Sequence, residues 1–228
     1  MATEKIPQRG SQANFKKPLI LVVGASGRGK STAIRNLDPE TTVILNTEDK
    51  PLPFKGASKF TKQMVITDPL QLTTTFKLIK DKNEVEVVVL DSFSAWSDAM
   101  YQHARKTEKG WDVPNLYNTK TKELFDAAKS MNKFVFFLGH PEITNIADGS
   151  TVKSMKVKGK EWEGVTEKEA TIVLYADMEA DGAGQNRYFF RTQSDGITNA
   201  KSPMEMFDSY EIDNDFALVV QKVKEYYQ

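Results

Sequence analysis

Short unbroken apolar runs alternate with helical periodicity along most of the chain. Leu19–Val23 (LILVV) ends in glycines and reads as a strand buried on both faces. Residues 30–36 should open a helix that stops before Asp38-Pro39. Thr42–Asn46 (TVILN) is a second buried strand. Residues 48–61 carry Pro51, Pro53 and Gly56 and are expected as a loop. Asp68-Pro69 has the form of an N-cap followed by proline at the first helical position, which predicts a helix over 69–82 with Leu70, Phe76 and Ile79 among its apolar contacts. A Val-rich third strand is expected over 85–90 and a helix over 94–107. Gly110 and Pro114 mark 109–118 as a loop, a helix follows over 119–131, and 134–138 (FVFFL) is a fourth buried strand. This alternation predicts an α/β fold with a mostly parallel sheet flanked by helices.

The texture changes after His140. Residues 141–164 are polar, contain several lysines and lack long apolar runs. Two strands are then expected, over 171–175 and 188–192. The turn-forming residues 181–184 between them predict a C-terminal antiparallel hairpin. Residues 213–227 suit a closing amphipathic helix. No internal repeat or long linker divides the chain, so 18–228 is expected as a single domain behind a flexible N-terminal arm, 1–17.

Composition narrows the function classes. At 228 residues and 39% hydrophobic, the chain has enough apolar content for a core. No apolar run approaches the ~20 residues of a membrane span, and the opening stretch lacks the apolar segment of a secretory signal. Cysteine is absent, which excludes disulfides and thiolate metal sites and suits a reducing cytoplasm. The 31 basic and 31 acidic residues balance, so any nucleic-acid site must be a local patch.

One motif carries chemistry. The run Gly24-Ala25-Ser26-Gly27-Arg28-Gly29-Lys30-Ser31, followed by Thr32, matches GxxxxGK[ST] and lies between a strand and an expected helix. Its glycines would let backbone N–H groups wrap phosphates at the helix N-terminus. Lys30 should reach the β- and γ-phosphates, and the Ser31 hydroxyl should ligate Mg2+. Residues 87–91 (VVVLD) form an apolar strand ending in Asp91, the second magnesium anchor, acting through water because magnesium dehydrates reluctantly. Ser92 is a candidate neighbouring bond. Strand C-terminal ends of a parallel sheet share one rim. That rim makes Glu48, after the second strand, the first candidate base, with Asp49 second. It also places His140, after the fourth strand, near the γ-phosphate. His103 has no evident partner and is assigned no role.

With these residues in view, the runs GASGRGKST, NTEDKPLPFK, VVVLDS and FFLGHPE resemble the RecA-like P-loop ATPases. The resemblance is greatest to the short phage-encoded ATPases linked to recombination and single-strand annealing. KEWEG, TIVLY and FRTQSDG followed by AKSP extend it to about residues 19–207. It implies ATP as the nucleotide, Glu48 as the base, and His140 as the γ-phosphate sensor, although glutamine is commoner at that place in the best-known recombinases. It further implies two loops that bind single-stranded DNA. One offers Arg105, Lys106, Lys109 and Trp111. The other offers Lys153, Lys156, Lys158 and Lys160, whose alternate spacing on an extended segment would track phosphates, with Trp162 to stack a base. Acids at Glu161, Glu163, Glu167 and Glu169 equally allow a solvated mixed-charge face. The resemblance also implies a homo-oligomer, ring or filament, with Arg191 or Lys201 completing a neighbour's site. A single-strand-binding protein is a further candidate partner. Two other readings stay open: a P-loop kinase of a small molecule, and a nucleotide-switched binding protein that recruits a replication or recombination partner.

Overall fold

In the computed structural model, residues 15–145, 149, 151–180, 182 and 184–228 are described. Among them the strands are β1 (Leu19–Val23), β2 (Thr42–Asn46), β3 (Gln63–Val65), β4 (Val87–Asp91), β5 (Phe134–Gly139), β6 (Pro141–Asn145), β7 (Thr151–Met155), β8 (Ile172–Ala180), β9 (Asn186–Arg191) and β10 (Glu211–Asp213). The helices are α1 (Gln71–Lys80), α2 (Phe93–Thr107), α3 (Asp112–Ser130) and α4 (Phe216–Tyr227). Eight strands form one sheet in the order β10-β9-β8-β1-β5-β4-β2-β3. The six from β8 to β3 in that order run parallel, while β9 and β10 reverse direction in turn.

The buried runs explain this architecture. Successive residues of a strand face opposite sides, and β1 supplies both cores. Leu19, Leu21 and Val23 pack with α1, α2 and α3 on one face. Ile20 and Val22 pack on the other with Ile34, Phe216, Val219 and Val223. A strand covered on both faces needs no polar alternation, which is why LILVV, VVVLD and FVFFLG read as continuous apolar runs.

Several expectations change. Residues 31–36 form a short 3-10 turn, not an α-helix, because Leu37 is already extended (φ −66°, ψ 153°) ahead of Asp38-Pro39. The loop expected over 109–118 is mostly helix. Pro114 lies in the first turn of α3, where backbone N–H groups have no intrahelical acceptor to lose. The polar stretch after His140 contains the β6–β7 hairpin, a two-stranded ribbon. The short strands β3 and β10 were not expected.

The β8–β9 hairpin pairs antiparallel as anticipated. Asp181 and Ala183 of its expected turn lie outside the described residues, as do residues 1–14 of the expected arm. The described end of that arm is docked: Phe15 stacks on Tyr227, with ring centroids 5.0 Å apart. Among the described residues no helix is long and apolar enough to cross a membrane.

Candidate functional site

The C-terminal ends of β1, β2, β4 and β5 converge on a cleft of about 990 Å³. Its wall includes Ser26 to Thr32, Glu48, Asp91, Ser92 and His140. The loop after β1 passes so close to β8 that a Cβ on Gly24 would lie 2.6 Å from the Ala176 carbonyl oxygen, so only glycine fits. Gly27 and Gly29 adopt φ of 74° and 80°, conformations that suit glycine. Ala25 belongs to the same loop but is not among the lining residues. At the loop's tip, Arg28 donates from Nη1 to the Met178 carbonyl at 3.3 Å and approaches Asp177 at 3.7 Å.

Lys30 bends back over this loop. Its Nζ donates to the carbonyl oxygens of Gly24 at 2.6 Å and Ala25 at 2.9 Å. Burial pushes its pKa down to about 8, against the attraction of the Asp91 and Glu48 carboxylates. Asp91 is displaced upward, chiefly by burial, while a hydrogen bond from Ser31 opposes that shift and Glu48 adds to it. Ser31 and Asp91 thus already touch. Two hard oxygen donors with space for waters are the donor set that hydrated magnesium favours. Among the described residues, no larger His, Asp or Glu cluster competes for a metal.

Glu48 is fixed through its neighbours. The Thr47 hydroxyl donates to the Ser92 carbonyl at 2.7 Å and accepts from the Ser92 N–H at 2.8 Å, which ties the loop after β2 to the end of β4. The Asn46 side chain holds the loop from within, accepting from the Glu48 N–H at 3.1 Å and donating to the Lys50 carbonyl at 2.7 Å. The Glu48 carboxylate pairs with Lys50 at 3.0 Å. Asp49, at φ 52°, is not among the residues lining this cleft and lines a smaller pocket that Glu48 also borders. Ser92 caps α2, accepting from the Ala95 N–H at 3.2 Å.

His140 follows β5 on the same rim. Burial, then the Lys30 charge, lowers its pKa, so the ring is neutral near pH 7. The His140 backbone N–H donates to Ser94 Oγ at 3.0 Å, and that hydroxyl donates to the Lys156 carbonyl at 3.0 Å. The Lys156 N–H in turn donates to the His140 carbonyl at 2.7 Å. This closed set of bonds joins the rim to the chain leaving β7.

The remaining predicted residues lie elsewhere. Arg105 and Lys106 end α2, and Lys109 and Trp111 lie in the connection to α3, with Trp111 85% exposed. Lys156 and Lys158 both reach Asp98, at 3.6 and 3.4 Å. Lys153 sits 6.0 Å over the Tyr175 ring, and Lys160 follows a left-handed turn at Gly159, so the four do not form the single line expected. Trp162 is a core residue, only 7% exposed and stacked on Phe125 with centroids 5.4 Å apart, so no base can stack on it in this structure. Arg191 is held by Asp177 at 3.3 Å and Asp195 at 2.6 Å, and Lys201 bridges through its backbone to Val173. Neither lines this chain's cleft.

Sequence reasoning missed the far wall: Arg35, Asn36, Tyr188 and Asp213 to Asp215. Residues 213–215 had been absorbed into the closing helix. The missed signal was Asp215 as an N-cap, accepting from the Ala217 N–H at 2.9 Å, which starts α4 later and frees the residues before it.

A mostly parallel sheet with a glycine loop, a buried lysine and a Ser–Asp pair at its C-terminal rim defines an α/β P-loop nucleotide-binding protein. The family model described as "AAA domain" matches residues 16–204, and the chain belongs to that family. It is therefore an AAA-type, P-loop ATPase-type domain. Comparison with curated proteins returns no match.

Proposed function

We propose that this chain is a magnesium-dependent ATPase of the RecA-like kind that acts on single-stranded DNA in recombination or annealing. The observation that carries the reading is the convergence of Lys30, Ser31, Asp91, Glu48 and His140 on one cleft. Lys30 would exchange its two loop carbonyls for phosphate oxygens and regain the stabilisation that burial removes from its charge. Ser31 and Asp91 would hold magnesium, which would offset charge on the phosphate oxygens. Glu48 would release Lys50 and accept a proton from the attacking water. His140, neutral, would sense the γ-phosphate.

The bonds from His140 through Ser94 to Lys156 support a route from nucleotide state to the lysine-bearing segment after β7. Exposed Trp111, with Lys109 nearby, supports a second DNA contact. Arg191 as a residue acting in a neighbour's site would have to leave Asp177 and Asp195, whereas the Lys201 ammonium makes no ion pair among the described residues. The test is ATP turnover with and without single-stranded DNA, alongside strand binding across a salt series. The reading predicts that DNA raises turnover and that binding weakens with salt. Turnover indifferent to DNA, with no strand binding, contradicts the DNA assignment and leaves a nucleotide switch.

A further inference from the structure

The phosphate loop leans on β8 at both ends. At its start, Gly24 lies so close to the Ala176 carbonyl that a Cβ would not fit. At its tip, Arg28 Nη1 donates to the Met178 carbonyl at 3.3 Å, and its Nε lies 3.7 Å from Asp177 Oδ1. Asp177 has a second cationic partner: Arg191 Nη2 donates to its Oδ2 at 3.3 Å. The register of the hairpin accounts for this meeting. Tyr175 pairs opposite Arg191 and Asp177 opposite Phe189, so all four side chains share one face of β8 and β9.

Charges alternate onward from there. Arg191 Nη1 donates to Asp195 Oδ2 at 2.6 Å. The other Asp195 oxygen accepts from the Ile197 and Thr198 N–H groups at 2.9 and 2.7 Å, and from the Thr198 hydroxyl at 3.0 Å. That turn is bonded to β7. The Lys153 N–H donates to the Ile197 carbonyl at 2.6 Å, and the Asn199 N–H donates to the Lys153 carbonyl at 3.3 Å. Arg28, Asp177, Arg191 and Asp195 therefore link the phosphate loop to the β6–β7 ribbon, apart from the bonds around His140.

The shared carboxylate is the movable member. Its contacts to the two guanidiniums, at 3.7 and 3.3 Å, are longer than the 2.6 Å bond between Arg191 and Asp195. Arg191 Nε is buried and has no acceptor among the described residues. A buried donor left unpaired is costly, so a shift of Asp177 toward Arg191 is favourable once Arg28 lets go. Arg28 lines the cleft, where phosphate oxygens would compete for its guanidinium.

We propose that Asp177 is a positioning residue exchanged between Arg28 and Arg191. Phosphate in the loop draws Arg28 from Asp177, Asp177 turns wholly to Arg191, and the Asp195 turn holds β7 more firmly. The exchange rests on the phosphate loop being a nucleotide site, and it needs no γ-phosphate. Arg191 performs it without leaving the carboxylates of its own chain.

Hydrogen exchange of the full chain, read amide by amide, free and with saturating ADP and magnesium, tests this. ADP lacks the γ-phosphate that His140 would sense. In the parent chain ADP should slow exchange within residues 24–32 and also at the Lys153 and Asn199 amides. Asp177→Asn keeps the shape of the side chain but not its charge. With ADP bound, it should retain the slowing within 24–32 and lose it at 153 and 199. Arg28→Gln removes the competing cation and should show the same loss. Because it changes only the loop tip, it decides the matter should Asp177→Asn not fold. Slowing at 153 and 199 that persists in either folded variant, or slowing confined to 24–32 in the parent chain, overturns the exchange and leaves the nucleotide site standing. No slowing within 24–32 in the parent chain overturns the nucleotide-site reading, and the exchange with it.

Discussion

Lys30 is charged in a place that disfavours charge. Burial brings its pKa to about 8, and only its charged form attracts phosphate. A bound triphosphate raises that pKa again, so above pH 8 binding must take up a proton. ATP affinity is expected to hold between pH 6.5 and 7.5. It should fall by up to about tenfold per pH unit above 8, measurable by calorimetry in buffers of different ionisation enthalpy. The stability sign is the reverse. The unfolded chain, with lysine near 10.5, binds more protons between pH 8 and 10.5, so the cost of burying Lys30 is present below pH 8 and fades above it. Glu48→Gln keeps the shape of the loop but removes the proton acceptor. Turnover should drop on the order of 10²–10⁴-fold while ATP binding is retained. The glycine loop, Lys30 and Ser31 stood out in the sequence because spacing alone defines them. Asn214 and Tyr188 did not, since their approach to the cleft depends on the register of β9 and on the capping of α4.

Elements that were buried on both faces were readable as apolar runs, and β1, β2, β4 and β5 appear where such runs occur. Elements held by a partner were not. The β6–β7 ribbon mixes polar and apolar positions without a continuous apolar run, β3 has three exposed residues on the sheet edge, and Pro114 hid the first turn of α3. Trp162 shows the same limit at one side chain: a tryptophan among lysines and glutamates reads as surface, yet it fills the core beside Phe125. Trp162→Ala should destabilise the fold by about 3–5 kcal/mol in denaturant unfolding, as for other buried aromatics. Trp111→Ala should leave stability unchanged, because its ring is 85% exposed. On the proposed reading it weakens single-stranded DNA by roughly 1–3 kcal/mol in a fluorescence titration.

At the scale of the whole molecule, formal charge is balanced at 31 basic and 31 acidic residues, so no global field draws nucleic acid. On the proposed reading, DNA contact would come from few phosphates, and the salt slope should be correspondingly shallow, near −0.7 per lysine engaged. Assembly into a ring or filament would place a neighbour's Arg191 or Lys201 at the cleft, and sedimentation with a non-hydrolysable ATP analogue should show larger species than without it. The central claim is that one cleft at the sheet's C-terminal rim hydrolyses ATP through Lys30, Asp91 and Glu48. Its most direct test is steady-state ATP turnover by the parent chain and by Lys30→Ala and Glu48→Gln, each with ATP affinity measured on the same samples. The account predicts magnesium-dependent turnover that both substitutions abolish, with ATP binding lost in Lys30→Ala and kept in Glu48→Gln. Turnover that persists unchanged in either variant contradicts it.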